Sequence, residues 1–162
     1  MPSATRLVCS FALMMGLCVG AQCAHAQLAP FAGMAGSWSG AGRIDLQNGT
    51  SERIRCHATY AVGVSGGAFQ QRLRCASDSY RFDVSSRVES QGGSLSGSWS
   101  EATGNVSGQV SGRAAGGRIH ARVEAGIFAA DMVVNTNGDQ QSVSIVPQGT
   151  DIKIVAVTMR KG

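Results

Sequence analysis

The chain reads as an all-β protein: an antiparallel meander closing into a barrel of eight to ten strands, with a curled β-sandwich as the fallback. Three observations predict this. Apolar and polar residues alternate with period two through most of the chain after residue 36. Turn-forming glycine, asparagine and serine interrupt the alternation at regular places, and no apolar period of 3.6 residues persists long enough for a helix. Two cysteines, Cys56 and Cys75, fall opposite each other when their strands are folded about Ser65-Gly66.

The strands follow in order. Trp38, Ile44 and Leu46 share one face, with Gly40 and Gly42 between them; Ile54, Cys56, Ala58, Tyr60 and Val62 come next. Phe69, Leu73 and Cys75 form a third inward set, and Tyr80, Phe82, Val84 and Val88 a fourth. Leu95 with Trp99, Val106 with Val110, and Ile119, Ala121 and Val123 continue the series, followed by Phe128, Ala130, Met132 and Val134, and then Val143 with Ile145. Ile152 to Met159 is apolar on both faces, which suits a closing strand. Asn48-Gly49, Ser65-Gly66, Gly92-Gly93, Gly116-Gly117 and Asn137-Gly138 supply the turns, because glycine and asparagine accept positive φ. As a two-residue turn, Asn137-Gly138 would pair Met132 with Val143 and Ala130 with Ile145. Short connections make successive strands antiparallel neighbours, and a meander of this length closes to remove its edges.

Residues 1–26 have the parts of a secretory signal peptide: Arg6, an apolar stretch from Leu7 to Ala21, and the small-x-small site Ala24-His25-Ala26. The apolar stretch is too short for a normal membrane span. Cleavage leaves a single domain, residues 27–162, and carries away Cys9, Cys18 and Cys23. The two remaining cysteines are expected to form a Cys56–Cys75 disulfide in an oxidising compartment, so the protein is expected to be periplasmic or secreted. Cleavage also takes Arg6 from the 14 basic residues and none of the 10 acidic ones, leaving a net charge of +3. That is no nucleic-acid signature. The mature chain has no transmembrane helix, and its outward faces carry Arg, Gln, Ser and Asp where a membrane barrel would need apolar groups.

Catalytic chemistry finds little support. His57 and His120 lie on polar strand faces without the converging ligands a metal requires. The repeated Gly-x-apolar-Ser-Gly pattern, as in Gly93-Ser94-Leu95-Ser96-Gly97, lacks the central serine of a nucleophile elbow. No phosphate-binding glycine loop is present. The expectation is a non-enzyme with no cofactor and no metal. Two binding surfaces stand out. Trp38, Tyr60 and Trp99 point inward beside small residues such as Gly40, Gly42, Ala58, Gly97, Gly108 and Ala121, an arrangement that leaves room for an apolar ligand. Arg53, Arg55, Arg72 and Arg74 share the outer face of the cysteine hairpin, with Arg53 expected opposite Asp78, and form a patch for an anionic envelope component.

Gly36-x-Trp38 early in the mature chain resembles the opening strand of lipocalin and avidin barrels, and Gly93-Ser-Leu-Ser-Gly97-Ser-Trp99 resembles a later strand of that architecture. The mature chain is similar in style to small exported proteins of alphaproteobacteria. It also resembles secreted inhibitors of bacterial metalloproteases, small barrels with an early Gly-x-Trp, one disulfide and an N-terminal trunk, for which Gln27 to Ala32 would serve. It departs from those inhibitors in its greater length and in the distance from Trp38 to Cys56. Together these features lead to an exported, non-catalytic lipocalin/avidin-like barrel that binds an apolar small molecule or envelope component. The alternative is a protease inhibitor acting through its N-terminal segment.

Overall fold

In the computed structural model, residues 29–162 are described, and they form one closed antiparallel barrel. The expected signal peptide, residues 1–26, and the expected mature start at Gln27 lie outside the described residues. Ten strands follow in chain order: β1 Gly36–Leu46, β2 Ser51–Val62, β3 Ala68–Ala76, β4 Arg81–Gln91, β5 Ser94–Glu101, β6 Val106–Ala115, β7 Arg118–Ala125, β8 Phe128–Asn137, β9 Gln140–Gln148 and β10 Ile152–Lys161. Each pairs with its neighbour in sequence, and β10 closes on β1. The doubly apolar run from Ile152 to Met159 is this closing strand, with Val157 opposite Gly42 and Met159 opposite Gly40. No helix among the described residues is long and apolar enough to cross a membrane.

The register of β2 and β3 is the one the cysteines require. Cys56 stands opposite Cys75, Ala58 opposite Leu73 and Val62 opposite Phe69. The Cys56–Cys75 disulfide is formed, with Cα atoms 4.1 Å apart. The β8–β9 hairpin differs from expectation. Its two-residue turn is Gly138-Asp139, so Met132 pairs with Ile145 and Val134 with Val143. Gly138 has φ +54°, and glycine at the first central position is what the II′ turn demands. The shift is two residues in the pairing, so every side chain keeps its face.

The seam between β1 and β10 is unusually close. A Cβ at Gly40 would collide with the backbone carbonyl of Thr158, and one at Gly42 with that of Ala156. These inward glycines let two backbones meet where the sheet coils most tightly. They are therefore not the source of cavity volume that the sequence suggested.

The two ends of the barrel differ. The β2–β3, β4–β5, β6–β7 and β8–β9 turns gather at one end, where the chain enters through a 3-10 turn, Ala32–Met34. Phe31, wholly buried, meets the Phe69 ring edge-on at 4.8 Å, and its N–H donates to the Gly66 carbonyl at 3.1 Å. The Trp38 indole N–H donates to the Met34 carbonyl at 2.8 Å, and the Lys161 ammonium lies 5.6 Å from the Trp38 ring centre. This end is plugged. The other end, formed by the remaining five turns, is the mouth.

Candidate functional site: the barrel cavity

Between plug and mouth the barrel encloses a cavity of about 640 Å³. That lies within the range of small-molecule sites. Met34 of the plug forms part of the floor, and Ile54, Phe69, Leu73, Val110, Val123, Met132, Val143 and Val157 are among the walls. The three charged residues that line it, Arg81, Glu101 and Asp151, come from strand ends and turns at the mouth.

Of the three aromatics proposed for the cavity, Tyr60 and Trp99 line it and Trp38 does not. Trp38 is wholly buried beneath the plug, held there by its bond to Met34. Its inward orientation is as expected, but the 3-10 turn stands between it and the cavity. Trp99 packs 5.9 Å from Phe128, and its indole nitrogen is buried with no hydrogen-bond partner among the described residues.

Sequence alternation passed over three polar residues that point the same way. Gln71 sits between Phe69 and Leu73 on the inward face of β3, Ser86 between Val84 and Val88 on β4, and Gln141 two residues before Val143 on β9. The signal was an interruption of each apolar set by one amide or hydroxyl. Inside the barrel they are linked. Gln71 Nε2 donates to the Tyr60 hydroxyl at 2.9 Å, and that hydroxyl donates to Gln141 Oε1 at 3.0 Å. Ser86 Oγ donates to Gln71 Oε1 at 3.0 Å, and Gln141 Nε2 donates to Thr136 Oγ1 at 3.0 Å. Burial pushes the Tyr60 hydroxyl up to about 12, against the opposing effect of its bonds to Gln71 and Gln141. It is therefore protonated and neutral across the physiological range.

The mouth is shaped by acidic side chains. Burial works to raise the Glu101 carboxyl, but N–H donors of Asp83, Gly104 and Thr103 outweigh it and hold the group at about 2. Glu101 thereby fixes the β5–β6 turn. Tyr80 stacks on Phe82 and donates to Asp151 at 2.6 Å, joining the β3–β4 and β9–β10 turns across the rim.

The four arginines of the proposed anionic-surface patch, Arg53, Arg55, Arg72 and Arg74, are all exposed on the outer wall. Arg74 is paired with Asp83 at 3.1 Å, and the other three have no acidic partner within ion-pair distance among the described residues. Arg53 does not face Asp78 as expected: β3 ends at Ala76, and Arg53 stands opposite Arg43 on β1. Glu52 instead holds the β3–β4 turn, through Ser77 and Ser79. His57 and His120 are exposed on the outside, His57 beside the Ser39 hydroxyl at 3.1 Å. Among the described residues no three His, Cys, Asp or Glu side chains lie close enough together to hold a metal ion. The described part of the proposed trunk does not project, since Phe31 is buried in the barrel end and Ala29 and Ala32 lie against Gly66.

A closed antiparallel barrel with a plugged end, an open rim and an apolar cavity is a lipocalin-like barrel. Solved structures agree on the fold. The chain superposes on Rv2717c from M. tuberculosis with a TM-score of 0.65 at 14% identity, covering 81% of this chain and 94% of that one. It superposes on the S-type phycobiliprotein lyase CPES from Guillardia theta with a TM-score of 0.55 at 10% identity, covering 82% and 90%. No protein-family model matches the chain, and no curated protein sequence matches it.

Proposed function

We propose that this protein is a non-catalytic carrier, periplasmic or secreted, that holds one apolar small molecule inside its barrel. The cavity is the observation that carries the reading. Protein interiors are close-packed and leave few voids larger than a water molecule, whereas this barrel keeps about 640 Å³ open behind mainly apolar walls. A barrel serving only as a scaffold would gain stability by filling that space. The disulfide supports an oxidising compartment. The non-catalytic part rests on the inward polar side chains Tyr60, Gln71, Ser86 and Gln141: they are bonded to one another, and Tyr60 is held neutral. The inhibitor alternative is disfavoured by the docking of Phe31 at the plugged end.

Native mass spectrometry of protein purified from its own source tests the reading. The expected result is a stoichiometric small-molecule adduct that is lost on denaturation. A protease as the sole companion would contradict it. So would protein that arrives without an adduct and takes up no apolar probe.

A further inference from the structure

Four inward residues stand on successive strands as direct cross-strand partners. Tyr60 faces Gln71, Gln71 faces Ser86, and Ser86 faces Trp99. The hydrogen bonds along this row all run one way: Ser86 gives to Gln71, Gln71 to Tyr60, Tyr60 to Gln141 and Gln141 to Thr136. Bonds aligned in this manner polarise and strengthen one another. The direction decides what the cavity end of the chain offers. The Ser86 proton is already committed to Gln71, so Ser86 presents only oxygen lone pairs. Beside it, Gln71 donates one amide N–H to Tyr60 and keeps a second. One acceptor with a donor beside it therefore lines a mainly apolar space, while the charged lining residues all lie at the mouth.

We propose that the ligand is an uncharged apolar alcohol whose hydroxyl docks at Ser86. This rests on the carrier reading above and specifies its ligand class. The ligand hydroxyl donates to Ser86 Oγ, extending the chain in its existing direction, and accepts from the second Gln71 amide N–H. A hydroxyl both gives and takes, as this site requires. A ketone can only accept and leaves Ser86 unmet. A carboxylate would bring a charge into an apolar interior with no cation beside it, which is strongly unfavourable.

A matched set tests this: a medium-chain alcohol, the alkane, methyl ketone and carboxylate of the same length, each displacing an uncharged naphthylamine dye at neutral pH. The alcohol should outcompete the alkane by roughly tenfold, the scale of one or two net hydrogen bonds, and also outcompete the ketone and the carboxylate. Ser86→Ala should abolish the alcohol's advantage over the alkane, whereas Ser86→Thr, which keeps a hydroxyl, should retain it. The proposal is overturned if alcohol and alkane compete equally, if the ketone or carboxylate binds best, or if Ser86→Ala keeps the preference. In each of those cases the carrier reading stands. If the dye itself does not bind and no member of the set enters, the carrier reading is what fails.

Discussion

The Trp38 indole N–H donates to the Met34 carbonyl at 2.8 Å, and this bond ties the 3-10 turn that plugs the barrel to the strand that begins the sheet. Both residues are buried, Trp38 completely. Replacing Trp38 with Phe removes the donor, leaves a buried carbonyl without its partner and shrinks a packed ring. We expect a loss of about 1–3 kcal/mol in denaturant unfolding. Hydrogen exchange at the Phe31 amide, bonded to Gly66, should accelerate more than exchange in the β5–β6 ladder. Equal acceleration everywhere would mean that the bond does not hold the plug specifically.

The disulfide joins residues 19 apart in sequence, and a closed loop of that size restricts the unfolded chain by about 3 kcal/mol. The double replacement Cys56→Ser and Cys75→Ser should lower stability by that amount, and reduction of the wild type should do the same. An unchanged unfolding midpoint after reduction would show that the ladder alone fixes this register.

Gly42 should tolerate no side chain. Its Cβ would meet the Ala156 carbonyl and the Val157 Cα, both backbone atoms that cannot turn away. Gly42→Ala is expected to cost about 1–3 kcal/mol through overpacking. Gly33→Ala is the control, because nothing lies within 4 Å of the added carbon; it should be within about 0.5 kcal/mol of wild type. Thermal unfolding of the pair distinguishes a seam under steric constraint from a general intolerance of the barrel.

Tyr60 gives stability a dependence on alkaline pH. Its pKa is raised from 10.0 to about 12 in the fold, chiefly by burial. Between those values the folded state binds more protons than the unfolded one, so stability falls as pH rises. The contribution is whole below pH 10 and lost by about 12, a total of roughly 2–3 kcal/mol. Tyr60→Phe should flatten this part of the stability curve. A wild-type curve already flat between pH 10 and 12 would show that the hydroxyl is not buried as described.

Much of this architecture was legible in the sequence because period-two alternation and glycine turns act locally. The disulfide register, the closing strand and the inward aromatics all follow from such short-range signals. The β8–β9 register was misread because Asn137-Gly138 and Gly138-Asp139 are both acceptable two-residue turns, and only the backbone at Gly138 distinguishes them. Trp38 was misplaced because the short turn at Ala32–Met34 leaves no periodic pattern, so nothing in the sequence shows it crossing the barrel end. The polar row was visible as isolated breaks at Gln71, Ser86 and Gln141. Their connection depends on a register that joins five strands, and no single window of sequence contains it.

On the carrier reading, an apolar molecule occupies the space between plug and mouth. Ala121 lines that space and is itself buried, so Ala121→Phe projects a ring into the cavity rather than into packed atoms. The decisive measurement is fluorescence titration of an uncharged naphthylamine dye against wild type and Ala121→Phe, with thermal unfolding of both. We predict saturable binding of one dye per wild-type barrel and an affinity at least about tenfold weaker in the variant, which should fold with undiminished stability. Equal affinity in the two proteins, or no saturable binding to the wild type, would contradict the account.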